Sequence, residues 1–173
     1  MGRDYAALKP ICDADPYLKQ SYDALHGLHV LNQPVWDTLP SFIISANNNV
    51  ARIRVLVKKL CDELGERREL NGIEIHLFPT PEALAAAPVE TLRAMGMGYR
   101  APYLIESAQA VVDGFDLNQL RTLPYEQAHK KILQLKGVGP KVADCVLLFG
   151  CRHSLAFPVD VWMERAMQKD MPG

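Results

Sequence analysis

The chain has 173 residues, 49% hydrophobic and 23% charged, with 19 basic and 20 acidic side chains and a formal charge of −1. That suits one domain with a sizeable core and excludes a polybasic tail that binds by charge alone. No apolar run is long enough to span a bilayer, and the opening MGRDYAALKP lacks the apolar core of a secretion signal. Cys12, Cys61, Cys145 and Cys151 lie far apart with no C-x-x-C pair, which argues against zinc and for free thiols in a reducing compartment.

Residues 1–40 read as an N-terminal segment leading into a helical core over 41–173. Within it, Tyr17 to Leu28 is expected to form a helix, and Pro34 to Pro40 a connector and helix start. Phe42 to Leu64 is strongly periodic: Ala46, Val50, Ile53, Val57, Leu60 and Leu64 share one helical face. Asn47, Asn48 and Asn49 interrupt this run. Asparagine amides compete for backbone hydrogen bonds, so three in a row predict a break near 45–48. A plain helix cap and a groove-facing edge beside Arg52 both fit. Arg52, Arg54, Lys58 and Lys59 follow with no acid among residues 47–60.

Gly65 ends that helix, and residues 71–78 form a short extended piece through Ile73, Ile75 and Leu77. Thr80-Pro81-Glu82 is a helix start: cap, proline at the first position, acid in the first turn. Pro88 opens another helix, Val89 to Met95, ended by Gly96 and Gly98. Tyr99 and Arg100 then share a loop before a helix to Val112. An aromatic wedge and a bidentate donor on one loop suit a protein that opens a duplex, although Tyr99 can equally pack on the core.

Pro124 to Leu135 is expected to be helical. Lys136-Gly137-Val138-Gly139-Pro140 is a turn whose two glycines can take left-handed angles. Pro140 opens the next helix, where its missing N–H costs nothing. The first-turn amides of that helix can hold a phosphate. Lys141 sits in the same turn, where the helix dipole disfavours its charged form and burial would favour a nucleophilic amine. Two packed helices with a solvated Lys141 are the plainer reading. Cys145 shares the face of Lys141 one helical turn on. Downstream, Phe157-Pro158-Val159-Asp160 opens a last helix with Asp160 as its cap.

The hairpin LKGVGPKVADC, the Pro-Val-Asp at this distance beyond Lys141, and the upstream NNN together resemble the 8-oxoguanine DNA glycosylases of the helix–hairpin–helix superfamily. The resemblance covers residues 36–170 by motif order. It implies a mainly α fold with the hairpin at 124–150 and an aspartate loop at 157–161. It also implies a fragment without the family's N-terminal β-domain and last C-terminal helices.

The implied activity is removal of 8-oxoguanine opposite cytosine, with Lys141 forming a Schiff base that leads to β-elimination and Asp160 supporting the chemistry. Asn47 would fill the gap left by the extruded base, and Arg52 and Arg100 would contact the orphaned cytosine. Tyr99 would be the wedge. Lys136, Gly137, Val138 and Gly139 would meet DNA at the hairpin, and Cys145 would lie against one face of the base. The carbonyls of Leu133, Leu135 and Val138 would bind K+ or Na+. No cofactor is implied for the chemistry, and the four-cysteine spacing of an iron–sulfur loop is absent. Trp162 stands where some relatives carry histidine. The implied partner is double-stranded DNA holding oxidised guanine or an abasic site, bound by a monomer in the cytoplasm or nucleoid of a prokaryote, or the nucleus or mitochondrion of a eukaryote. A non-catalytic DNA-binding hairpin module, and a glycosylase for another oxidised base, remain the alternatives. The pairing of Lys141 with Asp160 favours catalysis over the module.

Overall fold

The structure is a computed structural model and describes residues 6–25 and 27–170. The chain divides into two compact units, residues 1–31 and 32–173. The first holds a 3₁₀ turn, Ala6–Leu8, and the helices α1 (Lys9–Asp13) and α2 (Pro16–Ala24). Asp15 caps α2 by accepting from the amides of Tyr17 and Leu18 at 2.8 and 3.0 Å. The helix expected over Tyr17 to Leu28 stops at Ala24; His26 lies outside the described residues.

The second unit is mainly helical. Its elements are α3 (Val35–Ser45), α4 (Val50–Leu64), a hairpin of β1 (Arg67–Leu70) and β2 (Ile73–His76), α5 (Pro81–Ala85), α6 (Val89–Ala94), α7 (Arg100–Val112), a 3₁₀ turn at Asn118–Arg121, α8 (Tyr125–Ile132), α9 (Pro140–Phe149) and α10 (Val161–Asp170). The compact division falls at 31/32, so α3 continues through residue 40 as part of this unit. Pro40 lies inside α3 rather than in a connector, because Leu39, Ile43 and Ile44 on either side of it are fully buried and hold the helix together.

The core is built by Leu39, Ile43 and Ile44 of α3, Leu60 of α4, Leu104 of α7, Ile132 of α8 and Val146 and Leu147 of α9, all with no more than 1% of their surface exposed. Burying an aliphatic side chain of this size contributes about 1.5–3 kcal/mol each. Helix α3 lies against α9. Their approach is close enough that a Cβ on Gly150 would meet Val146 O at 2.9 Å and Val35 Cα at 3.1 Å. Gly65 is needed for a similar reason. Its backbone is extended (φ −80°, ψ 150°), and a Cβ there would sit 2.0 Å from Leu77 O.

Strand β1 was not expected, since RREL has no apolar alternation. It pairs antiparallel with β2, Arg67 opposite His76 and Leu70 opposite Ile73. Asn71 and Gly72 turn the hairpin with φ of 53° and 76°, as an Asn-Gly turn between strands demands. The cap of Thr80 is as expected: its hydroxyl accepts from Ala83 N at 3.2 Å, with Pro81 following.

Candidate DNA-repair active site

Helix α8 ends at Ile132, so the connection to α9 runs over residues 133–139 and is longer than expected. Within it only Gly137 has left-handed backbone, at φ +77°, while Gly139 is extended at φ −91°, ψ 177°. Gly137 lies against the base of the Tyr103 ring. The buried Ser107 hydroxyl, also from α7, donates to Lys136 O at 2.8 Å. Neither Tyr103 nor Ser107 was marked by sequence; only the tertiary packing brings α7 under the hairpin. Gly139 is the N-cap of α9 and has no side chain to bond the first-turn amides, and Pro140 carries none. The amides of Lys141 and Val142 are thus presented at the positive end of the helix. Lys136 and Gly139 are exposed, and Val138 is buried.

Lys141 is half-buried, and its Nζ stands 5.2 Å from the centre of the Phe42 ring. Phe42 in turn stacks on Phe149, ring centres 5.6 Å apart. Phe42 is a contact that sequence reading missed, since nothing local distinguishes it from a core aromatic. Cys145 is buried, 3% exposed. Burial, chiefly, pushes its thiol up; the charge of Lys141 pulls it down, and the charges of Asp144 and Asp160 push it up. The net direction is upward, so at neutral pH the group is a thiol. Asp160 is exposed. Its Oδ1 accepts from the amides of Trp162 and Met163 at 3.0 and 2.9 Å, which makes it the cap expected for α10.

The Asn47 region adjoins this site through α3. Four residues past Lys141's partner Phe42, the helix gives way to a turn, and Asn49 caps α4, its side chain accepting from Arg52 N at 2.9 Å. The break expected at 45–48 is thus present. Asn47 is exposed with φ +48°. Tyr99 is 53% exposed, and its hydroxyl donates to Ala46 O at 3.3 Å. Arg100 is the first residue of α7 rather than a loop residue, and it is 6% exposed. Its guanidinium bonds the carbonyls of Ala46 and Asn47. Arg52 is exposed, and its Nη2 donates to Gly96 O at 3.2 Å near the C-terminal end of α6.

Behind the hairpin, the Tyr125 hydroxyl at the start of α8 donates to Asp144 Oδ1 on α9 at 2.7 Å. This bond, chiefly, pushes the tyrosine up from 10.0 to about 12. A folded-state value above the unfolded one stabilises the fold fully below pH 10 and loses that contribution as pH rises through 12. Tyr125→Phe is expected to lower stability by about 1 kcal/mol at pH 7. It should also remove part of the wild type's loss of stability between pH 10 and 12. Urea unfolding across that range checks both.

Residues 41–171 match the HhH-GPD superfamily of base excision DNA repair proteins. The chain is 38% identical over 157 residues to an N-glycosylase/DNA lyase of Saccharomyces cerevisiae, covering 83% of this chain and 42% of the yeast protein. It is 34% identical over 179 residues to a probable N-glycosylase/DNA lyase of Methanothermobacter thermautotrophicus, covering 92% and 57%. Among solved structures, the apo-form of Clostridium acetobutylicum 8-oxoguanine glycosylase/lyase superposes with a TM-score of 0.91 at 35% identity, over 96% of this chain and 59% of that one. The same enzyme bound to double-stranded DNA with cytosine opposite 8-oxoguanine gives 0.90 at 34% identity, over 96% and 58%. The chain thus spans about half the length of the relatives it matches.

Proposed function

The chain belongs to the HhH-GPD superfamily of base excision DNA repair proteins, and from that footing we propose that it is the core of a bifunctional glycosylase and abasic-site lyase acting on 8-oxoguanine in duplex DNA. The observation that carries the reading is the grouping at the start of α9. There Lys141 stands half-buried in the first turn with its Nζ over the Phe42 ring, buried Cys145 lies one helical turn on, and Asp160 caps the helix that follows. A pure phosphate-binding hairpin has no use for a half-buried lysine packed on an aromatic ring beside a buried thiol.

A base inside a duplex shields its sugar, so the nucleotide must first leave the stack. Asn47 and Tyr99, both exposed, are the groups suited to hold the duplex open, with Arg52 beside them for the cytosine left behind. The hairpin amides and Lys136 take the phosphates. The unprotonated Lys141 Nζ attacks C1′. The C1′–N bond breaks, and its electron pair leaves with the base, which takes up a proton. Asp160 stabilises the positive charge that grows on the sugar. Opening of the sugar ring leaves a Schiff base between Nζ and C1′. Loss of a C2′ proton then expels the 3′ phosphate and cuts the strand. Cys145, uncharged and small, offers a face for the base.

We further propose that the hairpin holds a monovalent cation. Among the described residues no backbone N–H bonds the carbonyls of Leu133 or Val138, and Leu135 O, bonded by Val138 N at 3.2 Å, keeps a second lone pair. These oxygens would hold K+ or Na+ and add positive charge where a phosphate docks. No helix among the described residues is long and apolar enough to cross a membrane. The proposed place of action is wherever the cell keeps its DNA.

Asp160→Asn separates chemistry from folding, because asparagine caps a helix as well as aspartate does. Single-turnover cleavage of an 8-oxoguanine:cytosine duplex is expected to slow by about 10²–10³-fold, with the thermal midpoint unchanged. Equal rates for the two proteins would remove Asp160 from the mechanism.

A further inference from the structure

An aspartate three residues past a lysine on one helix stands where the two can pair. Side chains lean toward the helix N-terminus, so the later residue leans toward the turn that carries the earlier one. Lys141 and Asp144 of α9 have this spacing. Among the described residues they nonetheless form no ion pair, and they point to different neighbours. The Lys141 Nζ lies over the Phe42 ring of α3, whereas the Asp144 carboxylate turns to α8, where its Oδ1 accepts the Tyr125 hydroxyl at 2.7 Å. The Asp144 side chain is 14% exposed. His129 Nε2 stands 3.8 Å from the same oxygen, beyond hydrogen-bond reach. The His129 and His153 rings lie beside that of Tyr125, centres 5.6 and 6.2 Å away, and His153 is itself tied to Leu120 O at 2.6 Å. The ring of Tyr125 is thus packed in place, and its hydroxyl is what holds Asp144.

A carboxylate beside an amine favours the ammonium, and an ammonium has no lone pair with which to attack. We propose that Tyr125 is a positioning residue for the lysine chemistry: by holding the Asp144 carboxylate against α8, it keeps that carboxylate from pairing with Lys141. The titratable groups that face Asp144 are Tyr125 and His129 of α8 and, on its own helix, Lys141 and Cys145. Glu126 acts by charge on Tyr125, and Asp160 by charge on Cys145. From α3, Lys141 meets the uncharged Phe42. The inference rests on the proposed function for what the Lys141 amine does, but where the carboxylate is held is a property of the free protein.

The test has one arm that needs no activity. In the free protein, lysine side-chain NMR follows the titration of Lys141, its signal assigned by its absence in Lys141→Gln. Wild type is compared with Tyr125→Phe, Asp144→Asn and the double variant. Phenylalanine keeps the ring beside His129 and His153, and asparagine keeps an oxygen for the Tyr125 hydroxyl, so each should fold. Tyr125→Phe is expected to raise the midpoint by about half a pH unit or more, because the freed carboxylate favours the ammonium. Adding Asp144→Asn should bring it back to the wild-type value or below, since no carboxylate is left to pair. A midpoint that does not rise in Tyr125→Phe overturns the proposal, as does a rise that persists in the double variant. The second arm is borohydride trapping on an abasic duplex across the same pH range. Tyr125→Phe should be about threefold slower than wild type on the acid limb and equal to it on the alkaline plateau, with the deficit removed in the double variant. A deficit of the same size at every pH makes Tyr125 a support of the fold alone and overturns the proposal. If wild type traps no adduct, the functional reading fails, while the NMR arm still decides what Tyr125 does to Asp144.

Discussion

Lys141→Gln abolishes strand cleavage: the expected loss is at least about 10³-fold, because the substitution removes the nucleophile itself rather than a group that assists it. Glutamine keeps an unbranched stem and a hydrogen-bonding end, one atom shorter than lysine, so the fold should survive. Lys141 is half-buried, and its Nζ rests over the Phe42 ring. Losing this cation–π contact at a partly exposed site should cost only about 0.5–1 kcal/mol. Duplex affinity should fall only slightly, since the phosphate contacts proposed above use backbone amides and Lys136. Single-turnover cleavage beside a binding titration separates the two effects. A variant that loses binding and cleavage together would make Lys141 a phosphate contact.

Gly137→Ala is expected to destabilise the protein by about 2–4 kcal/mol, combining left-handed strain with overpacking. The backbone there sits at φ +77°, and a Cβ would lie 2.6 Å from Tyr103 Cβ and 2.8 Å from its Cγ. These atoms are at the base of the side chain, so a rotamer change cannot move them away. The hairpin would have to lift off α7, pulling Lys136 O from Ser107 and tilting the start of α9 on which Lys141 stands. Gly139→Ala is the control. Its φ is −91° and nothing lies within 4 Å of a Cβ built on it, so it should cost less than about 1 kcal/mol. Thermal unfolding of the two variants decides it; equal midpoints would mean that the close approach to Tyr103 does not hold the hairpin.

What the sequence showed well is what local chemistry controls. Thr80, Pro140 and Asp160 announce helix starts because capping is a contact within four residues, and all three stand where expected. The break at the asparagines follows from their competing amides. The double-glycine turn was only half legible, since a glycine can mean left-handed backbone, as at Gly137, or merely an N-cap without a side chain, as at Gly139. Strand β1 was missed because Arg67 to Leu70 has no apolar alternation, although Asn71-Gly72 carried the hairpin signal. Arg100 beside Tyr99 suggested a DNA-facing pair. Its burial against Ala46 and Asn47 depends on α7 packing at the end of α3, which no window of sequence contains. The same holds for Phe42 under Lys141 and Tyr103 under Gly137.

The most direct test of the central claim, that Lys141 forms the Schiff base, is borohydride trapping. Wild type and Lys141→Gln are incubated with a duplex holding 8-oxoguanine opposite cytosine and with one holding an abasic site. A covalent protein–DNA adduct is expected with both duplexes for wild type and with neither for Lys141→Gln. An adduct with the abasic duplex alone would keep the lysine chemistry and remove oxidised guanine as a substrate of this chain. An adduct that persists in Lys141→Gln, or none with either duplex for wild type, would contradict the account.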